Sequence, residues 1–160
     1  MTTSPVWQPD PKLDLVIERT IDVPPELVWT AWTRPEHISK WFTPAPWTVT
    51  ECEIDLRPGG IFRTVMRSPE GEEAVNLGCY LEIVPNQRLV WSDALLAGFR
   101  PSPHPFMTAI MTFERAGNAT RYTAMAVHRD QATRDRHEEM GFYDGWGTVT
   151  DQLAALVKTL

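Results

Sequence analysis

The stretch Gly141 to Leu160 reads GFYDGWGTVTDQLAALVKTL, and its spacing decides the fold. At about one hundred degrees per residue, Phe142, Trp146, Val149, Leu153, Leu156, Val157 and Leu160 fall on one stripe. Asp144, Asp151, Ala155 and Lys158 fall opposite. The pattern predicts an amphipathic helix, beginning as far back as Gln131, that needs a broad apolar surface to lie on. Gly141 and Gly145 flank the stripe on one side. A glycine costs a helix interior about 1 kcal/mol against alanine. The pair therefore marks either close backbone approach or empty space beside the helix, unless Gly141 simply breaks the helix in two.

Working outward, the surface for that helix comes from strands. Leu13 to Val23 alternates, with Leu15, Ile17 and Ile21 on one side and Glu18, Thr20 and Asp22 on the other. Pro24-Pro25 ends it, and a proline is well tolerated at the first position of a helix. Glu26 to Trp32 is a short helix with Leu27, Val28 and Ala31 inward. Thr33-Arg34-Pro35-Glu36 has the form of a capping box, Thr33 the cap and Glu36 three residues on. It opens a second helix that closes at Trp41-Phe42 before Pro44 and Pro46.

From there the residues predict strand after strand: 47–56, 61–67, 73–84, 88–94, 106–114 and 120–128. Short turns at Pro58-Gly59-Gly60, Pro69-Glu70-Gly71, Pro85-Asn86-Gln87 and Ala116-Gly117-Asn118 imply an antiparallel meander. The longest connection, Leu95 to Pro105, is rich in proline and glycine and reads as a mobile lid. An antiparallel sheet with one apolar face and a long amphipathic final helix is an α+β grip, the helix clasped by the sheet. Residues 13–160 read as one domain behind an irregular arm, 1–12.

Composition narrows the function. A chain of 160 residues with formal charge −6 suits one sizeable core and argues against nucleic acid or an anionic membrane as the main partner. No apolar run is long enough to span a bilayer, and Met1 to Pro11 lacks the blocks of a signal peptide. Cys52 and Cys79 lack metal-like spacing, so free thiols in a reducing cytoplasm are expected. Seven tryptophans and six methionines stand out. Flat rings and flexible thioethers fill irregular cores, and they also line adaptable apolar cavities.

His37, His104, His128 and His137 are scattered with no pair at ligand spacing, so no metal or cofactor is expected. Gly59-Gly60 enters a strand and offers no helix N-terminus to a phosphate. Tyr80 and Glu82 share a predicted strand face, as do Trp91 and Asp93, and His128 ends the last strand. A carboxylate held against tryptophan in an apolar cavity could act as an acid or base. The commoner outcome is a solvated rim or an ion pair with Arg63, Arg67 or Arg88.

Asp22-Val23-Pro24-Pro25-Glu26-Leu27-Val28-Trp29-Thr30-Ala31-Trp32-Thr33, then Pro35-Glu36-His37 and Trp41, resembles the N-terminal signature of the family named for the activator of heat-shock protein 90 ATPase. Asp55 to Gly60, Gly78 to Pro85, Arg88-Leu89-Val90, Thr112-Phe113-Glu114, Gly141 and Gly145-Trp146 fit the same family. The resemblance covers 15–160. It implies the helix-grip fold of the START-like, birch-allergen-type (SRPBCC) superfamily, with a cavity between sheet and C-terminal helix. It supplies no catalytic residues.

The function expected is a cytoplasmic binding protein for a small apolar or aromatic molecule, with no nucleic acid or membrane as partner. The expected lining is Phe62, Met66, Tyr80, Trp91, Met111, Tyr122 and Trp146, with Trp41 and Phe42 closing one end. The polar tips of Tyr80, Tyr122 and His128 would orient the ligand. Two alternatives stay open: a chaperone-interaction module with an ATPase-activating, stress-response role, and an enzyme using Glu82, Asp93 or His128. A monomer and a homodimer fit equally well.

Overall fold

Strand alternation and turn chemistry build most of the chain into one curved sheet. The structure is a computed structural model, and it describes residues 8–160. The part of the N-terminal arm before residue 8 lies outside the described residues. Among the described residues, nine strands and four α-helices follow in order: β1 (Asp14–Ile21), α1 (Pro25–Thr33), α2 (Pro35–Trp41), β2 (Thr48–Ile54), β3 (Ile61–Arg67), β4 (Glu73–Val84), β5 (Arg88–Ser92), β6 (Leu95–Leu96), β7 (Arg100–Pro101), β8 (Thr108–Ala116), β9 (Ala119–Val127), α3 (Gln131–Glu139) and α4 (Phe142–Val157).

Seven of the strands form a fully antiparallel sheet in the order β1-β9-β8-β5-β4-β3-β2. Register puts Leu15 and Ile17 opposite Ala126 and Ala124, Met111 opposite Leu89 and Ala124, and Tyr80 opposite Trp91. Because side chains alternate strictly, these residues share the concave face. There they are buried together with Val28, Trp32, Ile38 and Trp41 from α1 and α2, and with Phe142, Leu153 and Val157 from α4. The helix-grip arrangement expected from the sequence is the one observed. A smaller apolar cluster, Val90, Ile110 and Met125 ringed by Val16, Leu81 and Val127, lies on the opposite face.

Several local expectations change. Thr33 does not cap α2. It is the last residue of α1, its hydroxyl donating to the Trp29 carbonyl at 2.7 Å, while extended Arg34 occupies the cap position without a side-chain bond. Pro35 is the cause, since a proline pushes the residue before it out of the helical region. Leu160 lies beyond the end of α4 and is 42% exposed, so it leaves the stripe. Buried Thr150 takes a place on the inward face instead, its hydroxyl donating to the Trp146 carbonyl at 2.6 Å.

Gly141 does break the helix. It sits at φ 95, between α3 and α4, in the left-handed region that glycine adopts without strain. The segment 95–105 is more regular than an irregular loop: residues 95–101 fold as the β6–β7 hairpin around a short turn, Ala97–Phe99, and the Gly98 N–H donates to the Gly59 carbonyl at 2.8 Å. A side chain at Gly59 would meet the Phe99 ring at 2.8 Å, and one at Gly60 would meet the Asp55 carbonyl oxygen at 1.9 Å. Close approach of backbone requires glycine at 60, while at 59 the left-handed φ of 81 favours it.

Candidate functional site: an apolar cavity between sheet and helix

A cavity of about 230 Å³ opens between the concave face and α4. Its buried floor is made by Trp32, Trp41, Trp91, Met111, Tyr122 and Thr150; its half-buried rim by Phe42, Pro44, Met66, Asn76, Met107, Gly145, Trp146 and Val149. Local structure delivers each ring. The two short helices present Trp32 and Trp41 edge to face, centroids 4.8 Å apart, and the Trp41 indole N–H donates to the Ala31 carbonyl at 3.0 Å. Trp32 donates to the Tyr122 hydroxyl at 3.2 Å, tying α1 to β9. Gln152 of α4 holds the connection after α2, donating to the carbonyls of Trp41 and Thr43 and accepting from the Ala45 N–H at 3.0 Å.

Gly145 explains why the volume stays open. A Cβ placed there would meet nothing within 4 Å. Trp146 packs sideways on Phe142 and His137, centroids 4.7 and 5.8 Å away, which leaves the space beside Gly145 unfilled.

Seven of the ten residues expected in the site line this cavity: Trp41, Phe42, Met66, Trp91, Met111, Tyr122 and Trp146. Phe62 and Tyr80 lie on the same face but stack on each other behind the wall, centroids 5.3 Å apart, with Phe62 edge-on to Trp91 at 5.0 Å. His128 is elsewhere. Its Nδ1 donates to the Leu13 carbonyl at 2.7 Å, and its Nε2 lies 2.9 Å from His137 Nδ1. Burial beside His128 holds the His137 imidazole down to about 4.

The proposed acids and bases are also placed away from the cavity. A bulge between Tyr80 and Glu82 flips Glu82 onto the outer face opposite Val90, where it pairs with Arg88. Tyr80 and Glu82 therefore do not share a face. Asp93 accepts the N–H groups of Phe106 at 2.7 Å and Met107 at 2.9 Å, so its carboxylate holds a loop in place; burial raises its pKa and these donors oppose the rise. Cys52 and Cys79 are both free. Burial, then the charge of Glu36, pushes the Cys52 thiol up to about 11, so it stays protonated near neutrality. Among the described residues no cluster of three or more His, Cys, Asp or Glu side chains is placed to hold a metal ion. No helix among them is long and apolar enough to cross a membrane.

The sequence reading missed Trp32, Pro44, Asn76, Met107, Gly145, Val149 and Thr150 as lining residues. Signals existed for some of them. Trp32 follows inward Val28 by one helical turn. Met107 continues the alternation of Met111, and Asn76 that of Tyr80.

Polar groups in the wall divide into two sets. The Tyr122 hydroxyl accepts from Trp32, and burial raises its pKa with that bond opposing. Thr150 and Trp41 are likewise satisfied. Trp91 Nε1 and Asn76 Nδ2 are buried and have no partner within the protein; behind the wall, Thr64 Oγ1 and the Tyr80 hydroxyl are in the same position.

The family model described as "Activator of Hsp90 ATPase homolog 1-like protein" matches residues 22–158. No curated protein matches the chain. Protein NE0264 from Nitrosomonas europaea has a solved structure 47% identical to this chain, with TM-score 0.91, covering 94% of this chain and 97% of its own. Two further solved structures share the fold. Ms6760 from Mycobacterium smegmatis is 24% identical over 91% of this chain and 90% of its own, with TM-score 0.77. An AHSA1-like protein from Aeromonas hydrophila is 19% identical over 92% and 93%, with TM-score 0.71.

Proposed function

The chain belongs to the activator of Hsp90 ATPase homolog 1-like family, and from that premise we propose that it is a binding protein for a small apolar or aromatic molecule held between the sheet and α4. The observation that carries the proposal is the open space beside Gly145, walled by six aromatic rings: Trp32, Trp41, Phe42, Trp91, Tyr122 and Trp146. A core whose purpose is stability closes such volume, because lost contacts cost free energy. An apolar cavity of about 150 Å³ takes benzene, so about 230 Å³ suits one ring or two fused rings. The free cysteines support a cytoplasmic setting. The enzymatic alternative has lost its candidates from the cavity wall, since neither Glu82, Asp93 nor His128 lines it.

The test is a thermal-shift and tryptophan-fluorescence titration with a panel of neutral one- and two-ring aromatics. Binding to the folded state alone raises stability by about 2.7 kcal/mol at a hundred times Kd. A rise in melting temperature that saturates, with quenched tryptophan emission, supports the proposal. A panel that leaves both signals unmoved overturns it and makes the chaperone-interaction module the better reading.

A further inference from the structure

Two elements face each other across the mouth of the cavity. α4 supplies Gly145, Trp146, Val149 and Thr150, and the connection after α2 supplies Phe42 and Pro44. One side chain ties them together. Gln152 Nε2 donates to the Trp41 carbonyl at 3.0 Å and to the Thr43 carbonyl at 2.8 Å, and its Oε1 accepts from the Ala45 N–H at 3.0 Å. Both amide N–H groups and the amide oxygen are thereby used. Turning the amide over would set N–H against N–H and oxygen against oxygen, so its orientation is fixed by its partners.

Those bonds fall on either side of Pro44. Phe42 is held independently, by ring contacts to Trp32, Trp41, Phe62 and Trp91 with centroids 5.5 to 6.5 Å apart. Pro44 has no N–H to bond, and the backbone bonds of its connection are local, from Phe42 N–H to Ile38 and from Trp47 N–H to Pro44. Among the described residues, the hydrogen bonds that reach this connection from a distant element come from Gln152. Gln152 does not line the cavity. It stands one helical turn beyond Val149, so the helix that forms one wall also fixes where the opposite lip stands.

Resting on the binding reading above, we infer that Gln152 is the positioning residue that limits the length of the ligand. By gripping the backbone before and after Pro44, it holds that lip at a spacing from α4 that admits one ring or two fused rings and turns away a longer aromatic. A fixed lip discriminates by clash, which lowers the affinity of the wrong ligand without strengthening the right one.

Naphthalene and biphenyl test this, being two fused rings and two rings end to end. Dissociation constants are measured for the wild type, for Gln152→Leu, which keeps most of the bulk and loses the bonds, and for Leu153→Ala, which loosens α4 in the core without touching the lip. Comparing the naphthalene-to-biphenyl affinity ratio between proteins cancels the different hydration of the two probes. The wild type should bind biphenyl about tenfold more weakly than naphthalene or worse, and Gln152→Leu should move the ratio about fivefold or more toward biphenyl. Leu153→Ala should leave it near the wild-type value.

If naphthalene binds and Gln152→Leu produces a smaller shift, or Leu153→Ala an equal one, the inference is overturned while the binding reading stands. A wild type that takes biphenyl as tightly as naphthalene overturns it as well. That arm needs no variant, so a Gln152→Leu protein that fails to fold does not shelter the proposal. If neither probe binds any of the proteins, the binding reading itself fails and takes the inference with it.

Discussion

His128 Nε2 and His137 Nδ1 lie 2.9 Å apart and join the end of β9 to α3. Since His128 Nδ1 donates to the Leu13 carbonyl, the chain of bonds is complete with both rings neutral: His137 donates to His128, which donates to Leu13. It accommodates one extra proton by reversing the shared bond, but two protons would set like charges face to face. Phe106 and Phe142 enclose the His137 ring, with centroids 4.8 and 5.1 Å away, and offer no counter-charge.

The sign of the pH dependence follows. His137 titrates at about 4 when folded against 6.5 for the free group. The unfolded chain therefore binds more protons between these values, and stability is lost as pH falls from 6.5 toward 4. Because part of the ring's surroundings stays solvated, we expect a loss of about 1–2 kcal/mol rather than the full shift. Urea titrations at pH 7 and pH 4.5 measure it, and His137→Phe should flatten the difference; an equally steep loss in that variant would place the titrating group elsewhere.

Trp146 and Leu153 occupy the same helix face but should respond differently to truncation. Leu153 is fully buried in the core, so Leu153→Ala should cost about 2–5 kcal/mol. Trp146 borders a volume that is already open. A loss of about 1–2 kcal/mol is expected for Trp146→Ala, well short of the 3–5 typical of a buried tryptophan. Guanidinium midpoints of the two variants provide the comparison, and equal losses would mean that the cavity closes around the tryptophan in solution.

At Gly145 an alanine should be welcome. It relieves a helix-interior glycine and meets no neighbour, so Gly145→Ala should gain about 0.5–1 kcal/mol. Gly145→Leu should fill the cavity and abolish the thermal shift produced by aromatic probes. Retained probe binding in the leucine variant would move the site away from α4.

Gln152→Leu removes three bonds to the backbone of one connection. At about 0.5–1.5 kcal/mol each, the variant should lose about 2–4 kcal/mol in a denaturant titration. Faster hydrogen exchange confined to 42–47 should accompany the loss; unchanged exchange there would mean that other contacts hold the connection.

Most of the fold was legible because period-two alternation and turn residues act locally, and the sheet obeys both. The helix stripe found the core face of α4 for the same reason. The site was legible only in part. One bulge after Tyr80 reversed the face of Glu82, and nothing in the local sequence announces where an extra residue enters a ladder. His128 and His137 meet because α3 folds back over the end of β9, a tertiary contact that neither residue's spacing encodes. Which donors go unpaired, as at Trp91, depends on every neighbour at once and is invisible before the fold exists.

The order of the sheet also has a consequence for biosynthesis. β1 leaves the ribosome before the other strands, yet it sits at a sheet edge, and among the described residues its sole strand partner is β9, about a hundred residues downstream. At about 5–20 residues per second, Leu15, Ile17 and Ile21 emerge on the order of ten seconds before the strand that covers them. Through that interval the nascent N-terminal segment is an apolar ribbon with unpaired edges. It is therefore where a holdase would bind and where premature intermolecular pairing would begin.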